Sequence, residues 1–172
     1  DNWSVNMYFD NQPNNVARQN FLFRHPPDPS TYLHVGSGVY SELDKFTTCL
    51  MLADEQISGD SGTSFAALAN SQVYNNLLVG CRIGIRDYSE GSQSNANHGL
   101  KNTIISNNTI VMPFHTLQNT DTFGIYLQDN GTRNVNTVIQ NNIVIGYNQD
   151  KIVFSERAGA QPGLNFNNNV YF

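Results

Sequence analysis

Five short segments of the chain place asparagine between two apolar runs. They are VYNNLLV at 73–79, ISNNTIV at 105–111, IQNNIVI at 139–145, FNNNVYF at 166–172 and a degenerate copy, ARQNFLF, at 17–23. The second asparagines of the motif are 56, 32, 34 and 27 residues apart, at Asn20, Asn76, Asn108, Asn142 and Asn169. A constant motif at unequal spacing predicts one coil per repeat, with loops of different length inserted between the copies.

The asparagine pair is interpreted as a corner between two short strands. Asparagine tolerates left-handed backbone angles and hydrogen-bonds well in turns, and 25 of the 172 residues are asparagine. One asparagine of each pair is expected to adopt the unusual backbone angles of the bend. The amides of successive coils are expected to stack into a hydrogen-bonded ladder. The flanking apolar residues, such as Ile139, Ile143 and Ile145, are expected to fill the interior.

Short strands that share one face pattern are expected to stack in parallel, each coil hydrogen-bonded to the next. Segment 41–57, SELDKFTTCLMLADEQI, fits this frame least well. Its apolar spacing and a capping box of Ser41 with Asp44 allow a short helix, whereas the repeat favours a strand that ends at Asp54. Residues 24–63 are therefore treated as an insertion of uncertain structure.

The two cysteines, Cys49 and Cys81, are too few for a disulfide scaffold and lack the grouped spacing of a zinc site. They are either bonded to each other or both small buried hydrophobes. Because free cysteine is commonly buried, the second reading is favoured.

Length and charge limit the classes of function. The chain has 172 residues, enough for one domain with a real core, and 1–172 is treated as a single unit. Charged residues make up 13% and the net charge is −5, which argues against a nucleic-acid partner. No apolar run approaches the roughly 20 residues of a membrane span, so no membrane insertion is expected. The sequence begins and stops inside repeats without a capping element. We therefore expect a fragment of a longer solenoid, with neighbouring coils or a capping domain supplied by the same parent protein.

A second motif alternates with the asparagine corner and ends on an acidic residue. Its copies are VNMYFD, CLMLAD, RIGIRD, GIYLQD and KIVFSE, which end at Asp10, Asp54, Asp87, Asp129 and Glu156. If the copies align, their carboxylates form a column at the spacing of about 4.8 Å between neighbouring strands. Such a column is costly unless a cation or hydrogen-bond donors offset it. The residues are thus either strand-end acceptors of loop N–H groups or ligands of Ca²⁺, a hard ion that takes carboxylate oxygens.

These repeats resemble the right-handed parallel β-helix family, the carbohydrate-active and carbohydrate-binding group that includes the pectate-lyase-like proteins. The Asn-Asn-Ile and Gly-Ile-x-Leu-x-Asp patterns carry the resemblance over nearly the whole chain, most weakly between Arg24 and Ser61. It implies an all-β fold, a right-handed parallel β-helix of about five coils with loop insertions. It also implies an extracellular or cell-surface protein whose partner is a polysaccharide. A lyase acting on uronate-containing glycans, a binding module and a non-catalytic structural solenoid, like an adhesin or a tailspike, all remain open.

The densest polar stretch, 82–102, supplies the candidate site residues. Lyases that eliminate acidic sugars need a base for the C5 proton and a cation that neutralises the uronate. The candidate bases are Lys101 and His98. The candidate clamps are Arg86 and Arg133, because a guanidinium pairs bidentately with a carboxylate. Solvent-facing filler is the alternative reading of the same loop.

The remaining candidates complete this expected surface. Tyr126, Tyr88 and Glu90 are the candidate substrate-binding residues. Asp87 and Asp129 belong to adjacent coils and are expected to lie side by side on one outer face. There they are candidate ligands of Ca²⁺, which is the cofactor considered.

Overall fold

A computed structural model describes residues 5–10, 12–24, 34–35, 38–39, 48–55, 68–90, 99–113, 122–127, 134–147, 151–155 and 163–172. These residues form short strands, bounded as follows: β1 (Val5–Asp10), β2 (Val16–Arg18), β3 (Phe21–Phe23), β4 (His34–Val35), β5 (Gly38–Val39), β6 (Thr48–Glu55), β7 (Leu68–Ala69), β8 (Gln72–Tyr74), β9 (Leu77–Val79), β10 (Ile83–Glu90), β11 (Leu100–Lys101), β12 (Ile104–Ser106), β13 (Thr109–Val111), β14 (Phe123–Leu127), β15 (Thr137–Gln140), β16 (Ile143–Ile145), β17 (Lys151–Ser155), β18 (Leu164–Asn167) and β19 (Val170–Tyr171).

Three parallel sheets run the length of the described coils. Sheet A has the order β1-β6-β10-β14-β17, sheet B the order β2-β8-β12-β15-β18, and sheet C the order β3-β9-β13-β16-β19. Each of five coils contributes one strand to each sheet. Coil 1 holds β1, β2 and β3; coil 2 holds β6, β8 and β9; coil 3 holds β10, β12 and β13; coil 4 holds β14, β15 and β16; and coil 5 holds β17, β18 and β19. The predicted fold, an all-β parallel β-helix of about five coils, is confirmed.

Two short additions accompany the three sheets. Strands β7 and β11 pair in parallel beside the start of sheet B, and β4 pairs with β5 in an antiparallel hairpin. Within segment 41–57 the described residues form strand β6, which agrees with the strand reading there, while Ser41 and Asp44 lie outside the described residues. Strand β6 joins sheet A between β1 and β10 and extends one residue beyond Asp54.

The corner between sheets B and C carries the predicted ladder. The Asn76 amide nitrogen donates to Asn108 Oδ1 at 2.9 Å and to the carbonyl of Ala17 at 3.0 Å. The Asn76 amide oxygen accepts from the backbone N–H and the amide nitrogen of Asn20 at 3.1 and 2.9 Å. The same pattern continues from Asn108 to Asn142 and on to Asn169, as the prediction required. Each internal amide therefore makes four hydrogen bonds, and this offsets the cost of its burial.

The residue before each ladder asparagine takes the left-handed conformation of the bend. Its φ lies between 50 and 55° in every coil, at Gln19, Asn75, Asn107, Asn141 and Asn168. Asparagine visits this region more readily than other residues with a side chain, which explains the pair. In coil 1 a glutamine, Gln19, takes this position.

A second asparagine ladder, which was not predicted, lies at the corner that leads into sheet B. Asn14, Asn70, Asn102 and Asn136 all have positive φ, between 49 and 62°. Each later amide nitrogen donates to the amide oxygen one coil earlier, at 3.1 to 3.3 Å. This ladder is exposed and runs in the opposite direction to the first.

Each sheet contributes at least one row of apolar side chains to the interior. In sheet C the middle residue of each strand faces inward, so Val144 is 0% exposed while Ile143 is 40% exposed. The expectation that Ile143 fills the interior is therefore wrong. Alternation counted from the buried Asn142 explains the difference, because Asn142 and Val144 share the inward face.

Two glycines allow sheet C to pack closely against sheet A. A Cβ at Gly124 would lie 2.5 Å from the carbonyl oxygen of Ile152 and 2.5 Å from Cγ1 of Val144. Gly84 meets Ile110 and the carbonyl of Gly124 in the same way. Both glycines thus face inward, and any side chain there collides with the neighbouring coil.

Cys49 and Cys81 form a disulfide, with Cα atoms 5.5 Å apart. The expectation of two free thiols is wrong, although both residues are buried as expected. Cys49 lies in β6 and Cys81 follows β9, so the bond joins the beginning of coil 2 to its end. Closure of the coil brings the two together, and the spacing of two cysteines cannot reveal that.

The acidic residues that the structure describes, Asp10, Asp54 and Asp87, do not form the predicted column. Asp87 pairs with Leu52 and Leu127, whereas Asp10 pairs with Ala53. Asp54 pairs with Ser89, a further row along. Strands β6 and β10 are longer than the other strands of sheet A. An acidic residue near the end of a strand therefore does not occupy the same row of the sheet in every coil. Asp129 and Glu156 lie outside the described residues.

The buried ladder predicts that the same substitution at two adjacent asparagines has different effects on stability. Asn142→Asp removes the donors to Ile105 and Asn169 and buries a carboxylate against those oxygens. We expect a loss of about 3–5 kcal/mol in the free energy of unfolding, since each unsatisfied buried group costs about 1–3 kcal/mol. Asn141→Asp is the matched control, because Asn141 is exposed and aspartate tolerates its φ of 54°. Urea unfolding of both variants measures the difference, and equal losses would contradict a buried ladder.

The disulfide predicts a redox-dependent stability. Its cysteines are 32 residues apart, and opening a loop of that length costs about 3–4 kcal/mol in the chain-entropy model. We expect reduction, or the double variant Cys49→Ala/Cys81→Ala, to lower the free energy of unfolding by this amount. Reduction of the double variant should then have no further effect. A further loss on reducing that variant would show that the reductant acts elsewhere.

Candidate functional site

Sheet A is bordered by the segments of the chain that vary in length. Each asparagine of the exposed ladder lies six residues before an asparagine of the buried ladder, as Asn70 does before Asn76 and Asn102 before Asn108. Sheet B and its two corners are therefore constant. The long connections instead flank strands of sheet A: 24–47 precedes β6, 56–67 follows it, and 91–99 follows β10. Inserted loops on a regular scaffold are where binding and catalytic residues concentrate.

One row of the outer face of sheet A crosses four coils. Met51 pairs with Tyr8 on one side and with Arg86 on the other, and Arg86 pairs with Tyr126. Neighbouring strands are about 4.8 Å apart, so these side chains follow one another along the helix axis. We call Tyr8, Met51, Arg86, Tyr88 and Tyr126 the sheet A row, including Tyr88 because it stands beside Arg86.

Arg86 is packed between two aromatic rings. Its guanidinium carbon lies 4.6 Å from the centroid of the Tyr88 ring and 5.3 Å from that of Tyr126. A cation over a ring face is attracted by about 0.5–2 kcal/mol, depending on how far it is desolvated. The two rings thus hold the guanidinium in place on this face of the sheet.

Side chains of coils 3 to 5 pack around the Tyr126 end of the sheet A row. Tyr126 stacks on Phe123, with ring centroids 4.6 Å apart and planes 17° apart. Ile83 completes this outer apolar cluster, and the Lys151 ammonium lies 5.0 Å from the Phe123 centroid. Tyr126 is only 7% exposed. Its ring therefore positions Arg86 and has little surface left for a ligand.

The exposed part of the row lies at the other end. Tyr8 is 42% exposed, and Arg86 and Tyr88 are half-buried. The exposed Tyr8 ring and the half-buried Arg86 side chain thus lie about two strand spacings, or about 10 Å, apart on this face.

Asp87 does not belong to this surface. It is 1% exposed and pairs with Leu52 and Leu127, which are part of the main core. Its neighbours Arg86 and Tyr88 share the outer face, so alternation turns Asp87 inward. The expectation that Asp87 lies on an outer face is wrong. Its role as a metal ligand beside Asp129 stays a prediction, since Asp129 lies outside the described residues.

The other predicted site residues are divided by the structure. Lys101 is half-buried in β11, at the corner into sheet B, rather than in a strand of sheet A. Glu90 ends β10, but its side chain lies outside the described residues. His98 and Arg133 lie outside them as well. The structure thus unites Arg86, Tyr88 and Tyr126, and leaves the roles of Lys101, His98, Arg133 and Glu90 as predictions.

Phe123, Met51 and Tyr8 were missed by sequence reasoning. Strict alternation puts residues three apart on opposite faces, so Phe123 and Tyr126 were not expected to meet. They do meet because Gly124 and Ile125 both face inward, which interrupts the alternation. The glycine in GIYL and the equivalent glycine in RIGI were the available signal, since glycine inside a strand often marks a bulge.

The sheet A row contains one charged side chain, that of Arg86, beside three tyrosine rings and the thioether of Met51. Within the described ranges, His, Cys, Asp and Glu side chains form no group of three that could hold a metal ion. The same part of the chain contains no helix long and apolar enough to cross a membrane. What the sheet A row offers is one fixed cation, aromatic surface and an extended shape.

Neither the family models, nor the curated proteins, nor the solved structures compared with the chain give a match.

The stacked rings predict that two substitutions within the sheet A row lower the free energy of unfolding by different amounts. Tyr126→Leu removes the contacts with Phe123 and Arg86 and leaves a void under the guanidinium. We expect the free energy of unfolding to fall by about 1–3 kcal/mol. Tyr8→Leu is the matched control on the same row, and its exposure predicts a change within about 0.5 kcal/mol. Thermal and urea unfolding test both, and a loss at Tyr8 as large as that at Tyr126 would contradict the supporting role.

Proposed function

We propose that this protein is an extracellular domain that binds an acidic polysaccharide along the outer face of sheet A. The observation that carries the proposal is Arg86, held between Tyr88 and Tyr126 on that face. A planar guanidinium recognises a carboxylate bidentately, and a fixed guanidinium loses less side-chain entropy on binding. A uronate residue of the glycan supplies that carboxylate.

The exposed ring of Tyr8 supports a sugar ligand over a simple anion. An aromatic face packs against the apolar face of a sugar ring, while its hydroxyl reaches a polar partner. Tyr8 and Arg86 are separated along the helix axis by about 10 Å. A ligand that contacts both must therefore run across the strands, which suits an extended chain of sugars.

The disulfide supports the extracellular setting. Bonds between cysteines persist in oxidising compartments and are rare in reducing ones, and Cys49 is bonded to Cys81.

A lyase is the enzymatic form of the same proposal. Elimination from a uronate would need a base, for which Lys101 and His98 are the candidates, and a second clamp such as Arg133. Ca²⁺ held by Asp129 would serve where a metal is needed to neutralise the uronate. The binding proposal does not depend on this step.

A non-catalytic structural solenoid is the second candidate. Two asparagine ladders and three continuous sheets build a stiff rod, and apolar side chains are exposed at both ends of it. Such a rod would serve as a spacer or surface element without binding glycan through Arg86.

Binding to a panel of polymers tests the proposal. Pectate, alginate and a glycosaminoglycan supply uronates, and dextran is the neutral control. We expect the uronate polymers to bind and dextran not to bind, and Arg86→Ala to weaken binding by at least about tenfold, which corresponds to the 1.4 kcal/mol of one lost charged contact. Arg18→Ala is the matched control, because it removes the same charge from sheet B.

Each outcome of the panel decides between the candidates. Binding with release of unsaturated product, detected by ultraviolet absorbance, would favour the lyase, and its loss with EDTA would assign Ca²⁺ a part. Binding without product would favour a binding module. A folded protein that binds none of the polymers, or whose Arg86→Ala and Arg18→Ala variants bind alike, would refute the proposal and favour the structural solenoid.

A further inference from the structure

The asparagine corner of coil 3 differs from the others because it carries an acceptor sequence for N-glycosylation. It reads Asn107-Asn108-Thr109, which fits the pattern Asn-x-Ser/Thr with an x other than proline. The corners of coils 2 and 4 have Leu77 and Ile143 at the position of Thr109. The acceptor sequence at this corner therefore depends on a single hydroxyl residue.

Thr109 is the only residue with a hydroxyl group among the five described members of its row in sheet C. The others are large and apolar, namely Phe21, Leu77, Ile143 and Val170. Thr109 faces outward, because Asn108 and Ile110 on either side of it are each 1% exposed and face inward. An apolar residue occupies this position in every other coil, so packing of the sheet does not require the threonine.

The side chain of Asn107 is accessible in the folded protein. Asn107 is exposed, and its φ of 53° belongs to the bend. Its backbone N–H donates to the carbonyl of Gln140 at 3.1 Å, but no residue in the described ranges hydrogen-bonds its side-chain amide. A group attached to that amide would therefore displace no contact that the described residues make.

The neighbouring asparagine of the pair is in the opposite situation. Asn108 is 1% exposed, and its amide makes the four hydrogen bonds of the buried ladder. A glycan on Asn108 would break those bonds. The acceptor sequence thus marks the exposed asparagine of the pair and leaves the ladder asparagine intact.

We propose that Asn107 is N-glycosylated. Its Nδ2 atom forms a bond to the anomeric carbon of the first sugar of a lipid-diphosphate-linked oligosaccharide. The bond from that carbon to the diphosphate oxygen breaks, and its electron pair leaves with the lipid diphosphate. One amide proton passes to a base of the transferase. The inference rests on the extracellular setting of the proposed function, which the disulfide supports, but not on glycan binding at Arg86.

A glycan at this corner would also lie beside exposed apolar surface of the middle coils. Leu77 and Ile143 flank Thr109 in the neighbouring coils, and each is 40% exposed. An N-linked glycan is bulky and solubilising, and Asn107 lies only two residues before Thr109. The glycan would thus hydrate the outer face of sheet C, and the sheet A row on another face would stay open to its own ligand.

Secretion of the 172-residue chain from a eukaryotic host tests the proposal. Mass spectrometry after treatment with peptide N-glycosidase measures the occupancy, because this enzyme leaves aspartate at each asparagine that carried a glycan. We expect a glycan at Asn107 that is retained in Thr109→Ser and lost in Thr109→Val. Valine is the matched replacement, since it has nearly the size of threonine and suits an otherwise apolar row. Thermal melting confirms that each variant is folded.

Two further variants test the corner itself. Leu77→Thr and Ile143→Thr create the same acceptor sequence at Asn75 and Asn141, which are exposed at the equivalent bends. We expect each variant to fold and to gain one glycan at its new site. A glycan that prevents folding there would contradict the inference that this position of the corner tolerates the modification.

The remaining outcomes separate this proposal from the proposed function. Asn2 and Asn130 carry the other two acceptor sequences and lie outside the described residues. An unmodified Asn107 in the secreted, folded chain would overturn the proposal, whatever the state of those two sites. A glycan on Asn107 that persists in Thr109→Val would overturn it as well. Thr109→Val should bind uronate polymers like the original chain, so a failure of that binding in both would refute the proposed function alone.

Discussion

The four hydrogen bonds of each buried ladder amide fix the geometry on which the rest of the chain depends. Asn108 bonds to the coil before and the coil after it, so a shift of one residue would break contacts in both directions. The chain between the two corners is accordingly held at six residues, and sheets B and C stay regular. Differences in length are confined to the connections around sheet A. The ladder thereby determines which face of the rod can vary, and that face carries Arg86.

The asparagine corners could be predicted from sequence because each one solves a local problem. Asn75, Asn107 and Asn141 supply the left-handed bend, and the following asparagine supplies the ladder, so the pair is visible in the letters. The second ladder is equally regular, since Asn14, Asn70, Asn102 and Asn136 repeat the spacings of 56, 32 and 34. It was not predicted because none of these asparagines has a flanking apolar run on both sides, and all but Asn14 stand singly.

The residues of sheet A were harder to place because their orientation depends on other coils. Gly84 and Gly124 let the side chains of sheet C approach, and the resulting pair of inward residues shifts the phase of everything after them. Asp87 is turned into the core by this shift, and Tyr126 is brought onto the same outer face as Phe123. Cys49 and Cys81 meet only because coil 2 closes. Arg86, Tyr88 and Tyr126 could be predicted as site residues because the prediction used the composition of their segments. That composition is visible in the sequence whichever way each side chain points.

The sheet A row and the asparagine ladder follow the same axis of the molecule. A glycan of the kind proposed, in contact with Tyr8 and Arg86, would run across the strands in the direction in which the ladder joins one coil to the next. Five strands are separated by four spacings, about 19 Å in all, and Tyr8 and Arg86 lie two of these spacings apart. One copy would therefore engage only a short stretch of a long uronate polymer. The rest of that polymer would stay available to other copies, whose simultaneous binding would raise the apparent affinity without any new contact.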